Sequence, residues 1–178
     1  MRIISPEESM LKFVWEGDAK SLTGADVGKF VGDFKAGSLK PHLKSAERPS
    51  PDTVDGLTVL VGSSFDEIVN DASKDVLVKY YAPWCGHCKA LAPVWDELAK
   101  EMEGIEDLVI AKFDATENEV AGLDIKGYPT LKFYPKDNKA GVDYSGERAA
   151  ADFSAWLKEN SSAVKAAGSS AEATQEEL

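Results

Sequence analysis

The chain contains only two cysteines, Cys85 and Cys88, which stand three positions apart after a short apolar run at residues 76–78 and before a helical pattern. If the helix begins near Cys85, both sulfurs lie on one helix face, one turn apart. A helix start offers unpaired backbone N–H groups and the positive end of the helix dipole, which favour a thiolate over a thiol. The pair therefore indicates a thiol–disulfide exchange site.

A zinc site and a purely structural disulfide are the two alternatives. A structural zinc ion needs four ligands, but the chain has no second cysteine pair. His87 lies between the cysteines and away from their shared face, and His42 lies far off in a Lys/Pro segment. A disulfide that closes so short a loop would remove little entropy from the unfolded chain. We therefore expect a redox-active pair and no metal.

Composition excludes some classes of partner. The chain has 178 residues and a formal net charge of −11, which argues against nucleic acids and anionic membranes as partners. It has no apolar run near the roughly 18 residues that a membrane span needs. The first six residues lack the apolar core of a signal peptide.

Apolar periodicity predicts an alternation of strands and helices. The catalytic region reads as strands at 57–61, 76–82, 108–115, 130–134 and 142–145, with helices after Ser64, from the cysteines onward, around 117–122 and from Ala149. Pro93 should kink the second of these helices. Before this region, residues 10–15 read as a strand, and Thr23 and Asp26 open a helix with a capping-box pattern that Gly37 ends. This order is that of an α/β sandwich with a mixed sheet.

Several motifs resemble the protein disulfide isomerase family. They are Trp-Cys-Gly-His-Cys-Lys at 84–89, Leu-Ala-Pro at 91–93, Ala-Lys-Phe-Asp-Ala-Thr at 111–116, Gly-Tyr-Pro-Thr-Leu-Lys-Phe at 127–133 and Tyr-Ser-Gly-Glu-Arg at 144–148. The match covers residues 58 to about 160. It implies a thioredoxin-like three-layer α/β sandwich with a central mixed sheet.

The resemblance also implies a domain organisation. Residues 57–163 correspond to the catalytic thioredoxin-like domain, and residues 1–45 resemble, more weakly, the end of a preceding non-catalytic domain. A small N-terminal extension is the alternative for residues 1–45. The Pro- and charge-rich residues 46–56 read as a linker, and residues 164–178 read as a disordered acidic tail.

The motif assigns roles within the Cys-Gly-His-Cys site. Cys85, at the helix end, should be the attacking nucleophile, and Cys88, one turn in, the resolving thiol. Gly86 and His87 complete the motif, and a positive His87 should stabilise the Cys85 thiolate, which makes the disulfide a better oxidant. Arg148 matches a family arginine that can approach the buried cysteine and lower its pKa; a surface arginine at a helix start is the alternative.

Other positions match the substrate-facing part of the family site. Pro129 matches a cis proline that lies against the disulfide, where its backbone can pair with an extended substrate. Trp84 and Tyr128 would form apolar rims for unfolded chains; core aromatics are the alternative.

One position departs from the family. Many members carry a glutamate beneath the buried cysteine, paired with a lysine that matches Lys112, and the glutamate is thought to move protons to and from that thiol. Here Lys79 stands in its place. Two buried ammonium groups repel each other, so one should ionise poorly and could act as the proton carrier instead.

The resemblance implies an enzyme that forms, breaks and rearranges disulfides in unfolded or misfolded secretory proteins of the endoplasmic reticulum lumen. It implies no cofactor beyond redox exchange with glutathione or a partner oxidase, and it implies further upstream domains. A chaperone-like binding module and a thioredoxin-type reductase are the alternatives. The last four residues, 175–178, resemble a retrieval signal, and Asn160 begins a glycosylation sequon.

Overall fold

The computed structural model describes residues 1–5 and 11–175, with the side chains of 170–175 left out, and divides the chain into two compact units, Met1–Lys44 and Ser45–Leu178. None of the described helices combines the length and the hydropathy that a membrane-spanning segment requires.

The first unit is a two-stranded antiparallel sheet with one helix. Strands β1 (Arg2–Ser5) and β2 (Leu11–Val14) pair along their whole length. Helix α1 (Gly24–Lys35) begins with the predicted capping box of Thr23 and Asp26. The chain leaves α1 through Gly37 at a φ of +68°, where glycine is favoured. Strand β1 was not predicted. Val27 on α1 is 37% exposed, so part of the helix's apolar face is open to solvent.

The second unit is built on one six-stranded mixed sheet. Its strands are β3 (Thr53–Val54), β4 (Leu57–Leu60), β5 (Asp75–Tyr81), β6 (Leu108–Asp114), β7 (Thr130–Tyr134) and β8 (Val142–Asp143), in the spatial order β3-β4-β6-β5-β7-β8. Strands β4, β5 and β6 are parallel, and the other three run antiparallel to their neighbours.

Helices cover both faces of this sheet. On one face, α3 (Gly86–Glu101), α4 (Ala150–Asn160) and α5 (Ser162–Gln175) belong to a core that includes Leu77 and Trp95. On the other face, α2 (Phe65–Val69) packs with Val76, Val78 and Tyr80. Because side chains alternate along β5, odd positions from 77 to 81 face α3 and even positions face α2. The predicted three-layer sandwich is confirmed.

Three predictions about irregular segments are wrong. Residues 46–56 are not a free linker: the Ala46 N–H donates to the Asn118 side chain at 2.8 Å, and β3 pairs with β4. Residues 117–122 form turns and irregular backbone rather than the predicted helix. The predicted disordered tail from 164 is helical to Gln175, because Asp75 fixes the start of α5 by accepting from Ser161, Ser162 and the Ala163 N–H. Residues 176–178 of the retrieval-like end lie outside the described part.

Candidate active site

Strand β5 and helix α3 bring the two cysteines to one end of the sheet. After β5 ends at Tyr81, a turn in which the Cys85 N–H donates to the Ala82 carbonyl leads directly into α3. Cys85 is the N-cap of α3, with an extended backbone, and Cys88 lies within the first turn. Helix α3 continues through Pro93; apolar residues at helical spacing, Leu91, Trp95 and Leu98, are buried, as is the C-cap Met102, whereas Val94 is only partly buried.

The Cys85 sulfur is held by backbone groups of the helix start. The Cys88 N–H donates to it at 3.3 Å, as an N-cap side chain requires, and the sulfur in turn contacts the Tyr128 carbonyl at 3.5 Å. Both thiols are free and buried, with 8% of Cys85 and 4% of Cys88 exposed. Cys85 is therefore less open than the sequence led us to expect, because Tyr128 packs against it.

The two sulfurs differ in acidity. The pKa of Cys85 is lowered, first by a hydrogen bond from the Cys88 thiol, then by the N–H groups of Cys88 and His87 and by the charge of Arg148. The pKa of Cys88 is raised, first by burial and then by the sharing of its proton with Cys85; the Ala82 backbone and the charge of Lys79 oppose the rise. The arrangement prepares one sulfur to attack and keeps the other protonated.

The predicted motif residues take somewhat different roles from those expected. His87 is exposed and supports the Cys85 thiolate through its backbone N–H. Gly86 is the first residue of α3, and a Cβ there would meet no atom within 4 Å, so packing does not require glycine. Arg148 is exposed, and its charge acts on Cys85, whereas the resemblance pointed to Cys88.

The predicted apolar rim lies beside Cys85. The Tyr128–Pro129 peptide bond is cis, as expected. Trp84 is 72% exposed, and its ring meets that of Tyr128 edge-to-face at 5.9 Å between centroids. Trp84 is thus not a core residue, and the pair forms an aromatic edge next to the reactive sulfur.

Lys79 and Lys112 lie side by side on β5 and β6, facing α3. Both line a cavity that also reaches Cys88 and Asp96. Sequence reasoning missed Asp96, although its place one residue after the buried Trp95 puts it at the edge of the stripe that packs on the sheet. It also missed the Tyr128 carbonyl. Within the described residues, no group of three or more His, Cys, Asp or Glu side chains could hold a metal ion.

The sequence of this chain is similar to those of many known proteins. The model of the thioredoxin family matches residues 56–159. Protein disulfide-isomerase of Gallus gallus is 43% identical over 159 residues, which is 89% of this chain and 30% of that protein. Protein disulfide-isomerase of Humicola insolens is 43% identical over 87% of this chain and 31% of that protein. This chain therefore spans about a third of the length of the curated relatives it matches.

A solved structure agrees in fold. The first thioredoxin domain of mouse protein disulfide-isomerase A4 is 34% identical, with a TM-score of 0.51, and the alignment covers 64% of this chain and 84% of that one.

Proposed function

The chain belongs to the thioredoxin family, and from that membership we propose that it is a thiol–disulfide oxidoreductase and isomerase acting through Cys85 and Cys88. The observation that carries the proposal is the opposite pKa shift of two thiols one helix turn apart, lowered for Cys85 and raised for Cys88. The relatives named protein disulfide-isomerase support the same activity.

The chemistry follows from that asymmetry. The Cys85 thiolate attacks one sulfur of a substrate disulfide, forms a mixed disulfide and releases the other substrate sulfur as a thiol. Cys88 then attacks the Cys85 sulfur, which releases the second substrate thiol and leaves the Cys85–Cys88 disulfide. In the reverse direction the protein's disulfide oxidises a substrate dithiol. Isomerisation combines reduction of one substrate disulfide with oxidation of another pair of substrate thiols, which returns the two electrons to the Cys85–Cys88 pair.

The aromatic edge of Trp84 and Tyr128 supports binding of unfolded chains. A ring that is 72% exposed beside the nucleophile offers apolar surface to a peptide without recognising one sequence. The same observation favours a second function, chaperone-like binding of unfolded segments, which the protein would retain without its thiols.

The substrates of the oxidoreductase activity would be unfolded or misfolded proteins that contain disulfides. The net charge of −11 disfavours nucleic acids and anionic membranes as partners.

Glutathione or a partner oxidase would restore the redox state of the cysteine pair, with no bound cofactor. We propose that the protein acts in the endoplasmic reticulum lumen, the compartment that its resemblance to protein disulfide isomerases implies. Residues 1–45 would be the end of a further domain. The partly exposed apolar face of α1 supports this assignment. The alignment with the Gallus gallus relative also supports it, because its 159 residues exceed the length of the second unit, Ser45–Leu178, and so include part of the first unit.

Refolding of scrambled ribonuclease, combined with glutathione titration of the Cys85–Cys88 pair, tests the proposal. We expect catalysed recovery of ribonuclease activity and a reduction potential at least about 60 mV more oxidising than that of a thioredoxin, which is about a hundredfold in the equilibrium constant. A thioredoxin-like potential would indicate a reductase instead. Binding of unfolded chains with no catalysed refolding would leave the chaperone-like function alone.

A further inference from the structure

A partly open cavity of about 190 Å³ lies beside Cys88 and is lined by residues of α3, of the turn before it and of strands β5 and β6. The volume is enough for several water molecules. Its wall carries the Cys88 thiol and five other titratable side chains: Lys79, Tyr81, Lys89, Asp96 and Lys112. The cavity therefore connects the resolving thiol with groups that can hold a proton.

Lys79 is the most buried charge-bearing group in this wall. Only 3% of it is exposed, its ammonium nitrogen lies 5.5 Å from the centre of the Trp95 ring, and no hydrogen bond or ion pair of its amine occurs in the described part of the chain. The pKa of Lys79 is lowered to about 8, first by burial and also by the charge of the neighbouring Lys112, while Asp96 and Cys88 oppose the shift. About a tenth of the Lys79 amines would then be uncharged at pH 7.

We propose that the Lys79 amine exchanges the proton of the Cys88 thiol through this cavity, and that the Asp96 carboxylate is the positioning residue that controls the charge of Lys79. The inference rests on the proposed function and concerns its second step. The uncharged amine takes the proton as the Cys88 sulfur bonds to the Cys85 sulfur and the Cys85–substrate bond breaks. The proton then passes from the ammonium to the departing substrate thiolate or to water, so atoms and electrons balance.

Asp96 is suited to this role by its place. It lies eight residues after Cys88 on the same helix, is exposed, and lines the cavity in front of the two lysines. Its negative charge favours the ammonium form of Lys79. Removal of that charge should therefore increase the uncharged fraction of Lys79 and lower the pH at which release becomes fast.

The rate of the second step can be measured by stopped flow. Reduced protein is mixed with a large excess of oxidised glutathione, so that attack by Cys88 limits the change in tryptophan fluorescence. We expect half of the maximal rate near pH 8. Asp96→Asn should move this midpoint about half a pH unit lower and raise the rate at pH 7 about threefold. Glu97→Gln, a neighbouring exposed charge outside the cavity, should leave the profile unchanged. An unmoved midpoint in Asp96→Asn would overturn the proposal.

Variants of Lys79 separate proton exchange from simple charge. Lys79→Arg keeps a positive charge but cannot give up its proton in this pH range, so release at pH 7 should fall about tenfold or more, as in Lys79→Met. Wild-type release in Lys79→Arg would mean that Lys79 acts only as a charge. In the Lys79→Met background, Asp96→Asn should no longer shift the midpoint; an equal shift there would mean that Asp96 acts on Cys88 directly.

Two further measurements keep the outcome clear. Far-UV circular dichroism and thermal unfolding check that each Lys79 variant folds. If the Lys79 variants do not fold, the lysine ¹³Cε resonances are titrated in wild type and in Asp96→Asn. One resonance must then titrate at the pH midpoint of release and shift by the same amount as that midpoint in Asp96→Asn. A protein that forms no mixed disulfide with glutathione would refute the proposed function; one that forms it but releases it independently of Lys79 would refute only this inference.

Discussion

The outer and inner sides of the active site hold chemically identical thiols in opposite states. The outer side is the helix start with Trp84, Cys85 and Tyr128, and the inner side is the cavity beneath Cys88. Both cysteine residues are more than 90% buried, yet the pKa is lowered for Cys85 and raised for Cys88. Similar residue exposure therefore does not decide which thiol reacts: hydrogen-bond donors lower the pKa of Cys85, whereas burial is the largest cause of the raised pKa of Cys88.

The size of each contribution explains why donors matter more than the helix dipole. A helix dipole supplies roughly 0.3–1 kcal/mol, up to about 2, to a charge at its N-terminus, while a pKa change of one unit corresponds to about 1.4 kcal/mol. Hydrogen bonds to a charged group contribute about 1.5–3 kcal/mol each. Cys85 has such donors in Cys88 and His87, whereas burial and the hydrogen bond that the Cys88 thiol donates to Cys85 outweigh the one donor to Cys88, the Ala82 backbone.

Removal of each sulfur in turn should have the largest effect. Cys85→Ser should reduce ribonuclease refolding to the uncatalysed rate, since nothing is left to attack. Cys88→Ser should still attack but fail to release, so covalent complexes with substrate should accumulate on non-reducing gels and disappear with dithiothreitol. Accumulation of the same complexes in Cys85→Ser would reverse the assignment of the two thiols.

Tryptophans on the two sides should respond differently to truncation. Trp95→Ala, on the inner side, removes a fully buried ring whose N–H donates to the Ala111 carbonyl, and should lower the free energy of unfolding by about 3–5 kcal/mol. Trp84→Ala should change it by less than about 0.5 kcal/mol but weaken binding of an unfolded peptide. Urea unfolding and peptide titration measure both. Equal destabilisation by the two changes would contradict the division into rim and core.

The hydrogen bond between the thiols can be tested by the choice of replacement for Cys88. Cys88→Ala removes the donor that lowers the pKa of Cys85 most, so this pKa should rise by about 1–2 units. Cys88→Ser keeps a hydroxyl donor and should give a smaller rise. Iodoacetamide alkylation as a function of pH measures both variants, and an unchanged Cys85 pKa in Cys88→Ala would show that the backbone N–H groups suffice.

Arg148 should have the smallest effect. Its exposed charge lowers the pKa of Cys85, so Arg148→Gln should raise that pKa by a few tenths of a unit, and added salt should shrink the difference. Lys126→Gln, an exposed charge that is not among the influences on Cys85, serves as the control. If Arg148→Gln changed the pKa of Cys88 more than that of Cys85, Arg148 would act on the buried cysteine, as the family resemblance implied.

The regular part of the fold was predictable because its signals are local. The apolar run of β5, the stripe of α3 and the capping box of α1 each lie within a few neighbouring residues. Residues 46–56 differ from the predicted linker because the Asn118 side chain, far along the chain, accepts from the Ala46 N–H, and because Asp55 and Gly56 form the turn of a hairpin. Their φ values of +50° and +75° suit a two-residue turn.

The tail and part of the site depend on contacts that no local pattern contains. Helix α5 starts where it does because Asp75, nearly ninety positions earlier, accepts its first hydrogen bonds. The cysteines, the cis proline and the buried lysine could be found from motifs. Asp96 could not, since its importance depends on the cavity that joins it to Lys79.

The pKa of Cys85 tests the central claim most directly. Reduced protein is alkylated with iodoacetamide at pH values from about 4 to about 10, and mass spectrometry identifies which cysteine is modified. Cys85 should be half ionised at a pH clearly below about 8.5, the pKa of a free cysteine. Cys88 should stay unmodified at the pH values at which Cys85 ionises. A midpoint for Cys85 at or above about 8.5 would contradict the account.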